Sequence, residues 1–167
     1  MAVDIRAYAA ADLDALVAIN DAAYPAVPIT PASELADLIA LSRLTLVVDD
    51  GEVGGFVIAL APGQPYASEN YTWFSARSGD FLYVDRIVLA SRLQGQGVGP
   101  RLYAAVEEEA RRNGATEVTC EVNLRPPNPG SLAFHTRLGF VEVGRQQTKG
   151  GTTEVALLAR RVGSPVS

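Results

Sequence analysis

The sequence predicts a mixed α/β fold with a mostly antiparallel sheet, one parallel strand pair and helices on both faces. Apolar runs of strand length alternate with helical repeats along the chain, which is typical of α/β architectures. The turn Asp49-Asp50-Gly51-Glu52 joins two such runs and predicts a β-hairpin. A strand, a helix and a second strand follow one another at 81–123, and such a crossover predicts parallel neighbours.

The first half of the chain contributes three strands and two helices to this prediction. Residues 3–8 alternate apolar and polar side chains, and residues 11–20 repeat apolar side chains at helical spacing. Thr30 is predicted to cap a second helix that has Pro31 in its first turn. Strands are predicted at 44–48 and 53–60. We expect residues 61–80 to form a long irregular loop whose aromatic side chains pack against the core.

The second half begins with a strand at 81–89 that is rich in aromatic and β-branched residues. A helix follows, because four apolar residues recur every fourth position: Val98, Leu102, Val106 and Ala110. We predict a strand at 116–123, a short helix that Asn128 caps, and strands at 140–145 and 152–161. The tail at 163–167 is expected to fray.

Composition and length narrow the classes of protein. The 167 residues suit a single domain over 1–167, and a net charge of −5 argues against nucleic acid as the main partner. The single cysteine excludes an internal disulfide, and the single histidine excludes a histidine-cluster metal site. Since the chain has no apolar run of membrane-spanning length and no signal peptide, we expect a cytoplasmic protein without a membrane partner.

Three alternate glycines, Gly95, Gly97 and Gly99, lie between the strand at 81–89 and the helix that follows it. Glycine lets the backbone turn sharply and approach a ligand closely. The first N–H groups of a helix are unpaired and lie at the positive end of its dipole. The stretch therefore predicts an anion site, most often one for phosphate.

Two common phosphate motifs do not fit this stretch. A P-loop needs lysine and a hydroxyl residue after its last glycine, and Pro100 and Arg101 follow Gly99 instead. A dinucleotide-binding motif needs a third glycine where Pro100 stands. The neighbouring hairpins also differ from the repeated βαβ units of dinucleotide-binding folds.

The stretch Gln94-Gly-Gln-Gly97-Val-Gly99 resembles the acyl-CoA diphosphate motif of the GNAT N-acetyltransferase superfamily. Further on, Asn128-x-x-Ser131-x-x-x-His135-x-x-x-Gly139-Phe140 is similar to a second motif of the superfamily, in which tyrosine stands at the histidine position. The predicted order of strands over 3–161 agrees as well, and the details resemble an uncharacterised bacterial branch. The resemblance implies a GNAT-like fold and acetyl-CoA (coenzyme A) as cosubstrate, with no metal.

The resemblance also implies which residues hold the cosubstrate. The diphosphate would meet the backbone of Gln94, Gly95, Gln96, Gly97, Val98 and Gly99. The 3′-phosphate would meet Arg92 and Arg101, for which an ordinary solvated charge is the alternative. The pantetheine arm would pair with Ile87, Val88 and Leu89, close to Asn128 and Ser131.

Two residues are candidates for catalysis by the same resemblance. The resemblance implies that Asp85 acts as the base, since some members of the superfamily carry a catalytic carboxylate at this place. Aspartate is also disfavoured in an otherwise apolar strand, which indicates that it has a specific role. The alternative is an ion pair with Arg86 or Arg125, although strand alternation places Arg86 on the opposite face. His135 would protonate the leaving thiolate, act as a base, or only bind the sulfur by a hydrogen bond.

The acceptor would lie beside the strand at 116–123. Glu121 and Asn123 share one face of this strand, near its carboxyl end, and the resemblance adds Asn20, Tyr24, Tyr71 and Trp73 to the acceptor wall. Cys120 faces the other way and reads as a small buried hydrophobe.

We therefore expect an acetyl-CoA-dependent N-acetyltransferase that acts directly on a primary amine of a small molecule or peptide. Two alternatives remain open at this point: a non-catalytic acyl-CoA sensor, or an acyltransferase that uses another acyl-CoA or a hydroxyl acceptor. The C-terminal strands also leave open a homodimer through the sheet edge.

Overall fold

Seven β-strands form one sheet in the computed structural model, which describes residues 2–163. In chain order the strands are β1 (Asp4–Ala7), β2 (Leu44–Asp49), β3 (Val53–Leu60), β4 (Phe81–Leu89), β5 (Glu117–Arg125), β6 (Val141–Thr148) and β7 (Thr153–Arg161). Their spatial order is β1-β2-β3-β4-β5-β7-β6.

Five α-helices cover the two faces of this sheet in the described residues. They are α1 (Leu13–Ala22), α2 (Ala32–Leu41), α3 (Glu69–Arg77), α4 (Val98–Arg112) and α5 (Pro129–Arg137). One apolar cluster includes Leu102 and Val106 of α4. The other includes Leu16 of α1, Leu35 of α2 and Phe74 of α3. The predicted fold class is confirmed, with helices on both faces.

The strand pairs are antiparallel except for β4 and β5, which run parallel as the crossover predicts. Their pairing lasts for three residues, with Phe81–Tyr83 opposite Glu117–Thr119. Beyond Tyr83, β4 continues beside β3 and β5 continues beside β7. The sheet is therefore open between β4 and β5, and this gap positions the site described below.

Residues 61–80 are not an irregular loop throughout, because α3 occupies 69–77. Ser68 caps it by accepting a hydrogen bond from the Tyr71 backbone N–H at 3.2 Å. Tyr71 and Phe74 lie one turn apart and are buried, so tertiary packing stabilises a helix too short to show a clear repeat. The expected packing of the aromatic side chains is confirmed.

The predicted cap of α2 is wrong. The Thr30 hydroxyl donates to the Pro28 carbonyl at 2.9 Å, and it also accepts a bond from Arg86. The helix begins at Ala32, with Pro31 before it. The hydroxyl is therefore used for a long-range contact that local sequence does not indicate.

At the C-terminal end of the described chain, Gly163 is held in place. Its backbone N–H donates to Glu107 at 2.9 Å, and its carbonyl accepts from Arg111. The remainder of the predicted frayed tail, 164–167, lies outside the described residues. Within 2–163, no helix has the length and apolar character needed to cross a bilayer.

Candidate active site

Two cavities meet at the gap between β4 and β5. The polar cavity, about 500 Å³, is lined by Asp85, Arg86 and Glu121 among others. The glycine cavity, about 750 Å³, is lined by Gly95, Gly97 and Gly99 among others. Residues that line both are Ala26, Val27, Ile87, Asn128, Ser131 and His135. The cavities are therefore parts of one cleft that runs through the open sheet.

The glycine cavity has a wall of backbone donors. Gly95 and Gly97 have φ of 76° and 75°, a left-handed conformation that a side chain would disfavour. Gly97 directly precedes α4, so the unpaired N–H groups of the first helical turn lie at this wall. The geometry suits a negatively charged group.

Most of the predicted cosubstrate residues line this cleft. They are Ile87, Val88, Leu89, Gln94, Gly95, Gly97, Val98, Gly99, Asn128 and Ser131. The predicted cap of α5 is also confirmed, because the Asn128 side chain accepts from the Ser131 backbone N–H at 3.3 Å.

Three predicted cosubstrate residues lie elsewhere. The Arg92 guanidinium donates to Asp50 at 3.0 Å, and Arg101 donates to the Val3 carbonyl at 3.1 Å. The Gln96 side chain folds back onto the Arg92 carbonyl at 2.7 Å. The structure therefore does not bring these three side chains to the cleft, although the contact predicted for Gln96 involves its backbone N–H and stays a prediction.

Gly99 has a second structural reason to be glycine. A Cβ at this position would lie 2.7 Å from the Phe134 ring of α5, closer than packed carbon atoms approach. Close packing between α4 and α5 therefore requires a residue without a side chain at position 99, independently of any ligand.

Asp85 is tightly paired in the polar cavity. Its carboxylate accepts from Tyr66 at 2.5 Å and from Nε of Arg86 at 2.7 Å, and both charged side chains are less than 10% exposed. The register of β4 explains the pair: Ala59 lies opposite Val84 and Ile58 opposite Arg86, so Asp85 is an extra residue. Such a β-bulge interrupts alternation, and the predicted separation of Asp85 from Arg86 is wrong.

Arg86 extends this pair toward the loop that follows α1. Its Nη1 donates to Asn20 at 3.0 Å and to Thr30 at 2.9 Å. The guanidinium therefore joins β4 to the segment 20–30, which forms part of the cavity wall. A buried charge with this many partners has a structural role.

Glu121 faces the same cavity in a different environment. Its carboxylate accepts from the Tyr83 hydroxyl at 2.6 Å. Burial raises the pKa of Glu121 to about 8, and the nearby charge of Asp85 adds to this, while the Tyr83 bond and Arg86 act in the opposite direction. Glu121 can therefore gain or lose a proton near neutral pH.

His135 is buried where the two cavities meet. Its Nδ1 lies 2.7 Å from the Ser131 carbonyl, which can only accept, so Nδ1 carries the proton. Its Nε2 then accepts from the Tyr103 hydroxyl at 2.6 Å. Because burial lowers the pKa of His135, the imidazole is neutral at neutral pH and both ring nitrogens are occupied.

The predicted acceptor residues divide into two groups. Glu121 and Asn123 line the polar cavity, and the Asn123 amide donates to the Pro25 carbonyl at 3.1 Å. The other four lie off the cavity wall. Asn20 is buried behind Arg86, Tyr24 is 62% exposed, Tyr71 bonds the Ala61 carbonyl in the core, and Trp73 packs on Gly144.

Sequence reasoning did not assign a role to several residues of the cleft. Tyr66, Tyr83 and Tyr103 each bond a polar group of the site. Tyr66 lies in a segment without periodicity, and only the three-dimensional structure brings it to Asp85. Tyr83 was predictable in principle, because it lies on the face of β4 that Asp85 occupies.

Residues 2–163 contain no group of three or more side chains suited to hold a metal ion. The cleft instead combines backbone donors at one end with carboxylates, phenols and a neutral imidazole at the other. This arrangement can hold an anionic group and exchange protons with a second group nearby.

Comparisons with known proteins find similarity to acetyltransferases. The acetyltransferase (GNAT) family model matches residues 13–140. An aminoglycoside N(6′)-acetyltransferase type 1 from Serratia marcescens is 28% identical over 135 residues, which cover 80% of this chain and 88% of that protein. A protein of the same description from Klebsiella aerogenes is 34% identical over 119 residues, or 68% and 72% of the two chains.

A solved structure extends the comparison to the fold. A putative acetyltransferase from Salmonella typhimurium, solved with its cofactor acetyl-CoA, superimposes with a TM-score of 0.71 at 19% identity. The superposition covers 100% of this chain and 98% of that one. At this level of identity, the likeness concerns the fold.

Proposed function

The chain belongs to the acetyltransferase (GNAT) family, and we propose that it transfers an acetyl group from acetyl-CoA directly to a primary amine. One observation carries the proposal. A cleft with an anion-binding backbone wall at one end has, at the other, a carboxylate whose pKa is about 8. This combination suits a cosubstrate diphosphate and an amine that must lose a proton.

Acetyl-CoA would lie along the glycine cavity. The N–H groups around Gly95 and Gly97 would bind its diphosphate, and the free backbone edge of Ile87–Leu89 would pair with the amide groups of pantetheine. The acetyl-CoA-bound fold neighbour supports this choice of cosubstrate. Because Arg92 and Arg101 are engaged elsewhere, we assign them no phosphate contact.

Glu121 is the better candidate for the base. An amine attacks a thioester only in its neutral form, so a protonated acceptor must first give up a proton. A carboxylate with a pKa near 8 can take up that proton, whereas the Asp85 carboxylate is already engaged by Arg86 and Tyr66. We therefore assign the role of base to Glu121 and not to Asp85, for which the sequence predicted it. Asp85 instead keeps Arg86 in place.

The leaving thiolate would meet the Tyr103–His135 pair. This pair holds one shared proton at the junction of the cavities, where a thioester between the two ends would lie. In the structure His135 holds the Tyr103 hydroxyl by accepting its single proton; this hydroxyl would turn from His135 to donate its hydrogen bond to the sulfur as negative charge develops. The phenol that the family carries on α5 is then supplied by α4.

The acceptor we favour is an amine of a polycationic amino sugar. Two relatives carry the description of aminoglycoside acetyltransferases. The polar cavity also presents Glu121 and Glu69, and carboxylates favour cationic ligands. The charge of Arg86 is already balanced by Asp85.

The test is a turnover screen with purified protein. Thiol release from acetyl-CoA is measured with aminoglycosides, amino acids, peptide N-termini and simple alcohols, and propionyl-CoA is the matched control for the acyl group. We expect release with amino sugars above all. Tight CoA binding without thiol release for any acceptor would contradict the proposed function and favour a non-catalytic sensor.

A further inference from the structure

The chain has 14 lysine and arginine residues; 13 of them are arginines, and Lys149 is the only lysine. It therefore carries the only side-chain primary amine of the protein. Lys149 also lines the polar cavity, together with Glu121 and Asp85. If the proposed function holds, the enzyme's own primary amine stands at the place where an acceptor amine enters.

The turn that carries Lys149 is fixed against the cavity by its backbone. The Lys149 N–H donates to the Glu69 carboxylate at 3.1 Å, and its carbonyl accepts from the Thr152 hydroxyl at 2.8 Å. Glu69 lines the same cavity. These backbone contacts leave the lysine side chain free to move.

The backbone of Lys149 is also unusual. Its φ of 54° is the one positive value among the non-glycine residues of 2–163. A long side chain rarely adopts this left-handed conformation, and here its neighbours Gly150 and Gly151 have positive φ as well. Glycine at 149 would relieve this strain.

The lysine side chain is long enough to extend into the cavity that it lines. A cavity of about 500 Å³ is about 10 Å across, and an extended lysine side chain spans about 6 Å. The next strand connects the two points: Thr153 of β7 pairs with Thr148, and Val155 of β7 pairs with Asn123 of β5. Lys149 therefore lies in the turn between β6 and β7, and β7 borders the acceptor wall on β5.

We propose that Lys149 is a self-acetylation site, modified within its own chain when no acceptor occupies the polar cavity. Lys149 gives one proton to Glu121, and its Nζ attacks the thioester carbonyl. The N–C bond forms and the C–S bond breaks. The second nitrogen proton goes to the leaving thiolate, which departs as CoA thiol. The product amide has no charge, so the cavity loses its flexible cation.

The experiment uses the full-length protein with acetyl-CoA and no acceptor, followed by intact-mass measurement and peptide mapping. We expect one acetyl group per chain, on Lys149, forming about 100-fold faster than in the Glu121→Gln variant. The Lys149→Arg variant keeps the charge and should gain no acetyl group on the peptide at 146–160. Mapping separates any acetyl group on the N-terminal amine.

The order of reaction tests whether the transfer stays within one chain. The expected rate per chain does not change with protein concentration. A mixture of Lys149→Arg chains, which have the base, and Glu121→Gln chains, which have the lysine, should stay unmodified at Lys149. Acetylation in this mixture at the wild-type rate would overturn transfer within one chain.

The outcomes also separate this inference from the proposed function. Rapid turnover of added amines with no acetyl group on Lys149 would overturn self-acetylation and leave the acetyltransferase function intact. Equal modification of wild type and Glu121→Gln would show that acetyl-CoA reacts with Lys149 unaided, which also overturns the inference. No turnover and no modification would contradict the proposed function itself.

Discussion

Asp85 and Glu121 face the same cavity from neighbouring strands, yet the protein holds them in opposite ways. Asp85 accepts from the Arg86 guanidinium at 2.7 Å and from a phenol at 2.5 Å. Glu121 accepts from the Tyr83 phenol at 2.6 Å, and its pKa rises to about 8. Asp85 fixes the positions of its two partners, whereas Glu121 is desolvated without a guanidinium in contact and can exchange protons near neutral pH.

This difference indicates that the two strands have different roles. β4 carries the bulge and the ion pair that shape the cavity, and β5 carries the carboxylate that we propose as the base. Substitutions on both strands and around the cleft test this assignment of roles.

Glu121→Gln should lower kcat/KM by about 100- to 10,000-fold, because it removes the proton acceptor. The Gln side-chain oxygen can still accept from Tyr83, so thermal unfolding should change little. Asp85→Asn is the matched control, and it should cost more stability than catalysis. A variant at 121 that keeps full turnover, alongside an inactive Asp85→Asn, would reverse the two roles.

Arg86→Met should lower the free energy of unfolding by about 3–5 kcal/mol, because it leaves the Asp85 carboxylate buried without its cation. Urea denaturation measures the loss. Adding Asp85→Asn to the same chain should recover part of the stability, since the unpaired charge is then gone. If the double variant is no more stable than Arg86→Met, the contacts to Asn20 and Thr30 account for the cost.

The pH dependence of kcat/KM should show an acid limb with a midpoint near the Glu121 pKa of about 8. Below it the base is protonated, so the rate falls about tenfold per pH unit. The ordinary carboxyl value is 4.5, so the folded state binds this proton more tightly, and the stability it contributes is lost as pH rises through 8. Glu121→Gln should flatten the stability profile, and an unchanged profile would contradict the shift.

Tyr103→Phe should cost about 1–3 kcal/mol of stability, because it leaves Nε2 of His135 buried without a donor. It should also lower kcat more than it changes KM, since the proposed contact forms as the thiolate leaves. His135→Phe removes the positioning partner and should give a smaller loss of kcat. If the two variants lose kcat and stability to the same extent, the Tyr103–His135 pair has a purely structural role.

Gly99→Ala should destabilise the protein by about 1–3 kcal/mol through overpacking against Phe134. Phe134→Leu in the same chain should relieve the clash and restore most of the stability. If the double variant regains stability and also binds CoA normally, Gly99 serves packing alone. Lost CoA affinity in the relieved double variant would show that the ligand requires this glycine too.

The two ends of the cleft also differ in how far sequence predicts them. Gly95 and Gly97 lie in one contiguous stretch, and their conformation and position before α4 follow from local backbone preferences. Asn128 caps α5 for the same local reason. The polar cavity instead draws on separate segments, so the contact of Tyr66 with Asp85 depends on tertiary packing.

The bulge at Asp85 shows why side-chain direction was harder to predict than strand position. The bounds of β4 are those the sequence indicates, but one extra residue changes which side chains share a face. Thr30 and Arg92 illustrate the same limit: their identities suit a cap and a phosphate contact, yet distant partners engage them. Long-range pairing decides between local options of similar energy.

The gap between β4 and β5 leaves a sheet edge in the middle of a sheet. An ordinary edge strand exposes its hydrogen-bonding groups along one side, and proteins guard it because any extended chain can add there. Here β3 and β7 continue on either side, so the unpaired groups lie within the sheet and not at its outer border. An extended chain bound in the cleft can pair with these groups, while the flanking strands shield them from side-by-side addition of another protein's strand.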